Sequence, residues 1–299
     1  MKPPGLPRIL VLGGGELGSA VSHRLTAAGF DVAIADLEHP ACIRRRVCFA
    51  EAVREGRKRV EGVVATSVPS AGGASGAIAR GEIPVIALAD GAADYGRLAA
   101  DLGADVVVDA RMLKRNQGMS PRIASMVIGL GPGFRAPEDV HAVVETNRGP
   151  GLGSVIYRGS AEADTGLPAP VAGRAGERVI RAPVSGVFRS SAGLGEAVAE
   201  GEVVGTVEIG DENRAAGGSA AARAPEGATQ GVPVTASIAG LLRGLAADGL
   251  RVERGQKIGD VDPRGSTVDP DRISDKGRAV AGGVLEAVMH WWVTCDDRF

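Results

Sequence analysis

Cysteine is scarce in this sequence: its 299 residues include Cys42, Cys48 and Cys295 and no others. Three is an odd number, no two of them form a CxxC pair, and their spacing does not match a zinc site. A disulfide framework and a structural metal site are therefore not expected. Scattered free thiols are typical of proteins in a reducing compartment, so we predict a cytoplasmic location.

Long apolar runs and an excess of charge are also lacking. The longest apolar stretch, residues 279–293, is interrupted by Glu286 and His290 and is shorter than the ~18 residues that span a bilayer. The first residues lack the apolar core of a signal peptide. With 34 basic and 36 acidic side chains, the formal net charge is -2, which creates no field for a polyanion. We therefore expect neither a membrane nor a nucleic-acid partner.

The first part of the chain alternates between strand and helix patterns. RILVL is followed by the turn GGGELG, a helical stretch to Ala28 and a second strand, DVAIAD. Further apolar runs at 83–88, 104–109 and 124–130 are separated by helix-like segments, which favours right-handed crossovers and a parallel sheet. Residues 1–135 are therefore predicted to form a Rossmann-like domain of the nucleotide-binding type.

The second part contains an internal repeat. Residues 182–207 align without gaps on residues 236–261, and glycines recur at the turn positions of both copies. The pattern resembles the biotinyl/lipoyl barrel-sandwich hybrid, so residues 136–265 are predicted to form a β-rich domain of that kind. Carrier domains of that kind hold their cofactor on a lysine between the halves, but this sequence has no lysine between positions 208 and 235. The resemblance therefore implies a docking module without biotin or lipoate.

Two further segments complete the predicted organisation. Residues 211–231 are small, polar and without pattern, which predicts a flexible surface excursion. Residues 266–299 are predicted to contain one C-terminal helix of about 15 residues, with Ser274 as its N-cap. The predicted fold class is thus α/β: a Rossmann-like parallel sheet domain, then an all-β barrel-sandwich hybrid (biotinyl/lipoyl-like) domain and a C-terminal helix.

The turn after the first strand is a candidate cofactor site. Gly13, Gly15 and Gly18 form GxGxxG between a strand and a helix, where backbone N–H groups and the helix N-terminus receive phosphate. Asp36 ends the next strand, where a carboxylate binds ribose hydroxyls, and this favours NAD over NADP. Glycines at these positions are equally required for close helix–sheet packing, with or without a nucleotide.

Two basic segments supply candidate ligand-binding residues. Arg44, Arg45 and Arg46 are consecutive, and their guanidinium groups either clamp an anion or form a solvated charge run. Asp109 ends a predicted strand and is followed by Lys114, Arg115 and Asn116, at the sheet edge where ligands of open α/β sheets bind. No motif for nucleophilic, paired-carboxylate or metal catalysis is visible, so no catalytic residue is assigned.

Several long segments together resemble the YqeB-type family of accessory proteins of the selenium-dependent molybdenum hydroxylase system. They include GGGELG, EHPACIRRRVCFAEAV, DARMLKRN, VIGLGPGF, RAPVSGVF and ISDKGRAVAGGVLEAVM, and the resemblance extends over roughly residues 8–289. Family motifs IRR and KRN correspond here to Arg44 and Arg45, and to Lys114, Arg115 and Asn116.

This resemblance implies an accessory protein for hydroxylase maturation, acting in insertion of the molybdopterin cofactor or of labile selenium. Its implied partners are the molybdenum hydroxylase or its assembly proteins, and its implied ligand is a nucleotide or another phosphorylated molecule. NAD and a molybdopterin nucleotide are the candidate cofactors. The glycine turn also supports an alternative, an NAD-dependent oxidoreductase that acts on a small substrate.

Overall fold

The computed structural model describes residues 5–89, 94–164, 166, 171–209 and 231–295. These fall into two compact units. The first takes its residues from Met1–Pro40, Val47–Gly166 and Asp271–Phe299, and the second from Ala41–Arg46 and Leu167–Pro270. Most of the segment 211–231, predicted to be flexible, lies outside the described residues.

The first unit is built on a nine-stranded sheet, within the residues that the structure describes. Its strands are β1 (Arg8–Leu12), β2 (Asp31–Leu37), β3 (Arg57–Val60), β4 (Val63–Val68), β5 (Ile83–Leu88), β6 (Val106–Asp109), β7 (Met126–Leu130), β8 (Ala142–Val144) and β9 (Val155–Ile156). Their spatial order is β3-β4-β5-β2-β1-β6-β7-β8-β9. The strands from β4 to β8 in that order pair in parallel, and the edge pairs β3–β4 and β8–β9 are antiparallel.

Helices cover both faces of this sheet. They are α1 (Glu16–Ala27), α2 (Ala52–Glu55), α3 (Ala74–Ala79), α4 (Tyr95–Leu102) and α5 (Asp275–Thr294). Alternate side chains of β1 point to opposite faces: Ile9 and Val11 join the core with α1 and α5, and Leu10 and Leu12 join the core with α3 and α4. All four are buried, which explains why central strands read as continuous apolar runs.

The ends of two helices follow from local chemistry. The Asp94 carboxylate caps α4 by accepting a hydrogen bond from the Arg97 N–H at 2.9 Å, and the helix ends at Gly103, which is left-handed with φ of 60°. Ser274 caps α5, as predicted, because its hydroxyl accepts from the Gly277 N–H at 3.1 Å. The helix has 20 residues rather than about 15.

In the part of the second unit that the structure describes, the strands form two four-stranded antiparallel sheets. Its strands are β10 (Val179–Arg181), β11 (Gly186–Ser190), β12 (Ala197–Val198), β13 (Val203–Glu208), β14 (Gly231–Thr235), β15 (Gly240–Leu245), β16 (Arg251–Val252) and β17 (Lys257–Asp262). Their orders are β10-β17-β15-β12 and β14-β13-β11-β16, so each sheet combines strands from both copies of the repeat. Phe188, Leu242 and Leu245 are fully buried in the core.

The repeat has a structural reason. Strands β11, β12 and β13 begin at residues 186, 197 and 203, and β15, β16 and β17 begin at 240, 251 and 257, the same 54-residue offset. A Cβ at Gly186 would overlap the carbonyl oxygen of Glu208, and one at Gly240 would overlap that of Asp262. These glycines are therefore equivalent positions of close strand approach.

The predicted fold class is wrong. The large sheet is mixed, not parallel: β3 and β4 are joined only by Glu61 and Gly62, and a loop so short can only reverse the chain. The parts also do not follow one another as predicted, because the second unit is inserted between β9 and α5 and the C-terminal helix belongs to the first unit. The predicted boundary at residue 135 lies inside the first unit.

Candidate functional site

The carboxyl ends of the central parallel strands form the candidate site. From β1 the chain builds the sheet in one direction through β2 and then returns to the other side of β1 with β6, so the strand order reverses between β1 and β6. Open α/β sheets bind ligands beyond the strand ends at such a reversal. The loops after β1, β6, β7 and β8 lie at this edge.

Packing accounts for two of the three glycines after β1. Gly13 is left-handed, with φ of +92°, and a Cβ on it would lie 3.1 Å from backbone atoms of Ala110 and Arg111. A Cβ on Gly18 would overlap the carbonyl oxygen of Gly13. Nothing lies within 4 Å of a Cβ placed on Gly15, which precedes α1. Cofactor binding by these glycines stays a prediction, and Gly15 is the one whose identity packing does not require.

Backbone groups of the glycine turn form hydrogen bonds with other parts of the chain. The Gly14 carbonyl oxygen accepts hydrogen bonds from the Ala50 N–H at 3.0 Å and from the Ser19 hydroxyl at 2.8 Å. That hydroxyl accepts in turn from the Phe49 N–H at 2.7 Å. The segment around Phe49 and Ala50 is fully buried. The opening of α1, at Gly15, Glu16 and Leu17, remains partly exposed.

Asp36 is tied to the same turn. Its carboxylate accepts hydrogen bonds from the Gly14 N–H at 2.6 Å and from the Leu37 N–H at 2.7 Å. Burial raises the pKa of Asp36 above its ordinary value, although these two bonds and the charge of Arg54 act in the opposite direction. The predicted ribose contact stays a prediction, because Asp36 has a role in the turn whether or not a nucleotide binds.

This role predicts a stability effect for Asp36. We expect Asp36→Ala to lower the free energy of unfolding by about 1–3 kcal/mol, because the Gly14 N–H loses its acceptor. Asp36→Asn keeps an acceptor oxygen, so its loss is smaller. Since the folded pKa is raised, wild-type stability falls as pH rises from the ordinary value of 3.8 through the folded pKa, and Asn removes this slope. Urea denaturation across that pH range measures both effects, and equal stability of wild type and Asp36→Ala would contradict the assignment.

The arginine run belongs to the second unit. Arg45 begins a short 3₁₀ turn, and the structure groups Arg44, Arg45 and Arg46 with the second unit. There Arg45 Nε donates to the Leu245 carbonyl oxygen at 2.9 Å, and Arg46 donates to the carbonyl oxygen of Leu194. Arg44 is buried. Anion binding by Arg44 and Arg45 stays a prediction, but Arg45 and Arg46 have structural roles in the second unit.

The loop after β6 is held by two of its predicted site residues. Asp109 is buried and forms an ion pair with Arg111, whose guanidinium also lies 4.6 Å from the ring centroid of Tyr95. Asn116 donates from its Nδ2 to the Met119 carbonyl oxygen and to the Asp139 carboxylate, both at 2.9 Å. Asp109 and Asn116 therefore shape the loop.

Lys114 is the residue of this loop best placed for a ligand. It and Met112 have left-handed φ angles of 62° and 59°, which side chains rarely adopt outside constrained sites. Its ammonium lies 3.2 Å from the carboxylate of Asp164. Arg115 is exposed, and its backbone N would lie 2.5 Å from a Cβ on Gly133 in the loop after β7. The fixed loop therefore presents Lys114 at the sheet edge.

Sequence reasoning missed the other charged residues of this edge. Lys276 lies in the first turn of α5, and Glu16 and Glu145 are close enough for their charges to act on its ammonium, as are Lys114 and Arg148. Burial and the two neighbouring cations lower the pKa of Lys276, while the two carboxylates partly compensate. The strand-end rule that selected Lys114 would have selected Arg148, which follows β8 in ETNR.

The loop after β8 is organised by Glu145, which is buried. One oxygen accepts from the N–H groups of Thr146 and Asn147 at 2.7 and 2.6 Å, and the other accepts from the Glu162 N–H at 2.7 Å. Arg148 forms a bidentate pair with Asp275, at 2.8 and 3.0 Å. Glu145 thereby joins the loop that carries Arg148 to the segment that carries Asp164.

Metal-binding clusters and membrane-spanning helices are both absent from the described ranges. No group of three or more His, Cys, Asp or Glu side chains there is arranged to hold a metal ion. In the same ranges, none of the helices combines the length and apolar character of a membrane span.

Comparison with solved structures gives matches that span both units. One is a succinylglutamate desuccinylase/aspartoacylase from Rhodobacter sphaeroides, 13% identical, with 86% of this chain and 85% of that chain covered and a TM-score of 0.28. Another is an aspartoacylase family protein from Mesorhizobium loti, 11% identical, with 86% and 84% covered and a TM-score of 0.25. TM-scores this low carry no argument about function.

Sequence comparison identifies a relative. No protein-family profile matches the chain. The chain is 42% identical over 287 residues to "Uncharacterized protein YqeB" of Escherichia coli (strain K12), a match that covers 96% of this chain and 48% of the relative. It thus spans about half the length of the curated relative that it matches. The relative confirms the resemblance to YqeB-type proteins and says nothing about selenium-dependent hydroxylases. The chain is therefore homologous to about half of YqeB, and the homology extends over 96% of this chain.

Proposed function

We propose that this protein is an accessory factor for the maturation of selenium-dependent molybdenum hydroxylases, and that it binds a phosphorylated ligand at the carboxyl edge of the large sheet. One observation supports the ligand most directly. Lys114, Arg148 and Lys276 come from the loops after β6 and β8 and from the start of α5, and the bidentate pair of Arg148 with Asp275, at 2.8 and 3.0 Å, holds the loop after β8 against the helix turn that carries Lys276.

A phosphate group fits the chemistry of this edge. Cations held close together in a partly buried place repel one another, and an anion between them removes that repulsion. The partly exposed opening of α1, at Gly15, adds backbone N–H groups and the positive end of the helix dipole. A molybdopterin nucleotide carries such phosphate groups and is the ligand we favour.

The hydroxylase part of the proposal rests on the family resemblance. The 42% identical relative supports membership of that group of proteins, but its name states no activity. On this proposal, the partners are the hydroxylase or its assembly proteins. The alternative, an NAD-dependent oxidoreductase, has less support from the geometry, because the Gly14 N–H of the glycine turn already donates to Asp36 instead of facing a phosphate.

Deletion of the gene tests the proposal in a host that makes such a hydroxylase. We expect hydroxylase activity to be lost while the cellular molybdopterin content is retained, because the factor acts after the cofactor is made. Activity should return with the wild-type gene and with Lys58→Gln, whose lysine pairs with Glu55 away from this edge. Unchanged hydroxylase activity in the deletion strain would overturn the proposed function.

A further inference from the structure

Lys276 occupies an unfavourable position for a positive charge. It lies in the first turn of α5, where the helix dipole disfavours a cation. It is partly buried, and Lys114 and Arg148 add like charges. Among the residues that the structure describes, its ammonium forms no hydrogen bond and no ion pair. Only five of the chain's 34 basic side chains are lysines, and two of these five, Lys114 and Lys276, lie at this edge of the sheet.

The carboxylates around Lys276 differ in how they are used. Both oxygens of Glu145 accept from backbone N–H groups, so they serve the loop. Asp275 pairs with Arg148, and Glu16 acts on Lys276 from the start of α1. Asp164 is the carboxylate of this group that pairs with Lys114. Its hydrogen bond with Lys114 holds the pKa of Asp164 below the ordinary value, and the charge of Lys276 acts in the same direction.

We propose that Lys114 and Lys276 form a two-lysine site for one phosphate group, and that the carboxylate of Asp164 occupies the phosphate position when no ligand is bound. The identity of the ligand as a phosphorylated molecule rests on the proposed function. A phosphate offers two negative charges and three acceptor oxygens where Asp164 offers one charge, so it balances the charges of both lysines where Asp164 balances one.

Displacement of Asp164 from Lys114 costs little free energy. Asp164 and Lys114 are each 44% exposed, and exposed ion pairs contribute little to stability. Lys114 itself is fixed, because its left-handed backbone lies in a loop that Asn116 fastens and Gly133 packs against. The ligand therefore replaces a weakly held carboxylate on a preorganised lysine.

Calorimetric titration of the full chain with inorganic pyrophosphate tests the site. We expect Asp164→Asn to bind about threefold more tightly than wild type, since the weakly competing carboxylate is removed. Lys276→Gln and Lys114→Gln should each bind at least about tenfold more weakly, with Lys58→Gln as the matched control at wild-type affinity. Affinity in Asp164→Asn no higher than in wild type, or wild-type affinity in Lys276→Gln, overturns the proposal.

A proton count separates this role from a merely structural one. Because the pKa of Lys276 is lowered and a bound phosphate raises it, binding takes up a proton at pH values above the free pKa. Titrations in buffers of different ionisation enthalpy measure this uptake. Lys276→Arg should bind pyrophosphate without it, since arginine is always charged. Equal uptake in wild type and Lys276→Arg would contradict the site.

Folding of the variants and the two proposals can be judged separately. Lys276→Gln removes a destabilised charge, so its midpoint of thermal unfolding should equal or exceed that of wild type. If pyrophosphate binds as described but gene deletion leaves hydroxylase activity unchanged, the two-lysine site stands and the proposed function is wrong. If deletion abolishes activity and Lys276→Gln restores it fully, the proposed function stands and the site is wrong.

Discussion

Gly18→Ala is expected to lower the free energy of unfolding by about 3–5 kcal/mol or to prevent folding. The added Cβ would overlap the carbonyl oxygen of Gly13 and lie 3.2 Å from the Cβ of Ala110. Both neighbours are at buried positions between β1, β6 and α1, so neither can move without displacing the start of the helix. Urea denaturation, followed by circular dichroism, measures the loss.

Gly15→Ala is the matched control, three residues earlier in the same motif. Gly15 has φ of -67°, and nothing lies within 4 Å of its Cβ position, so alanine should cost less than about 1 kcal/mol. Gly15→Asp, in contrast, places a carboxylate at the opening of α1 and should weaken pyrophosphate binding with little loss of stability. Similar stabilities for Gly18→Ala and Gly15→Ala would refute the packing explanation.

The glycine motif shows how far sequence could predict this fold. RILVL, the turn and DVAIAD correctly indicated β1 and β2, because a continuous apolar run and a glycine turn have few alternatives. The same motif could not indicate whether its glycines are required for close packing or for binding a ligand. That depends on Ala110, about 95 residues away, and on the segment around Ala50, neither of which the motif contains.

The repeat was visible in the sequence, but its strand pairing was not. A 54-residue offset shows that Gly186 and Gly240 are equivalent, and the structure shows the same backbone contact at both. The offset in the sequence does not reveal that β11 pairs with β16 of the other copy, or that β12 pairs with β15, as they do in the structure. Which strands pair across the two copies depends on how both copies pack into one core, and a sequence repeat carries no information about that packing.

The charged edge was predictable only in part. Lys114 was found because it follows a strand, the local signal that also precedes Arg148. Lys276 carries no local signal, since a lysine in an amphipathic helix is ordinarily solvated. It reaches the edge because α5 packs on α1, where a Cβ at Gly277 would lie 3.0 Å from the Cβ of Ala20. A contact between the first and last helices of the unit cannot be predicted from local sequence and becomes visible only in the tertiary structure.

Asp262→Asn is expected to destabilise the second unit by about 3 kcal/mol, since it removes the buried charge that pairs with the largely buried Arg243. Asp262 is 2% exposed and accepts from Arg243 at 3.2 Å and from Arg264 at 2.8 Å. Burial alone would raise the pKa of Asp262, but the hydrogen bonds from Arg264 and the charge of Arg243 hold it below its ordinary value. Thermal and urea unfolding at neutral pH measure the difference between variant and wild type.

The internal repeat supplies the control for this prediction. Arg189 and Glu208 occupy the positions of Arg243 and Asp262, 54 residues earlier, but their ion pair is exposed, so Glu208→Gln should change stability little. Because the pKa of Asp262 is lowered on folding, its contribution is present above the ordinary value of 3.8 and is lost as pH falls through the folded pKa. Wild type and Asp262→Asn should therefore converge in stability in acid. An equal effect of the two substitutions at neutral pH would show that burial does not distinguish the two copies.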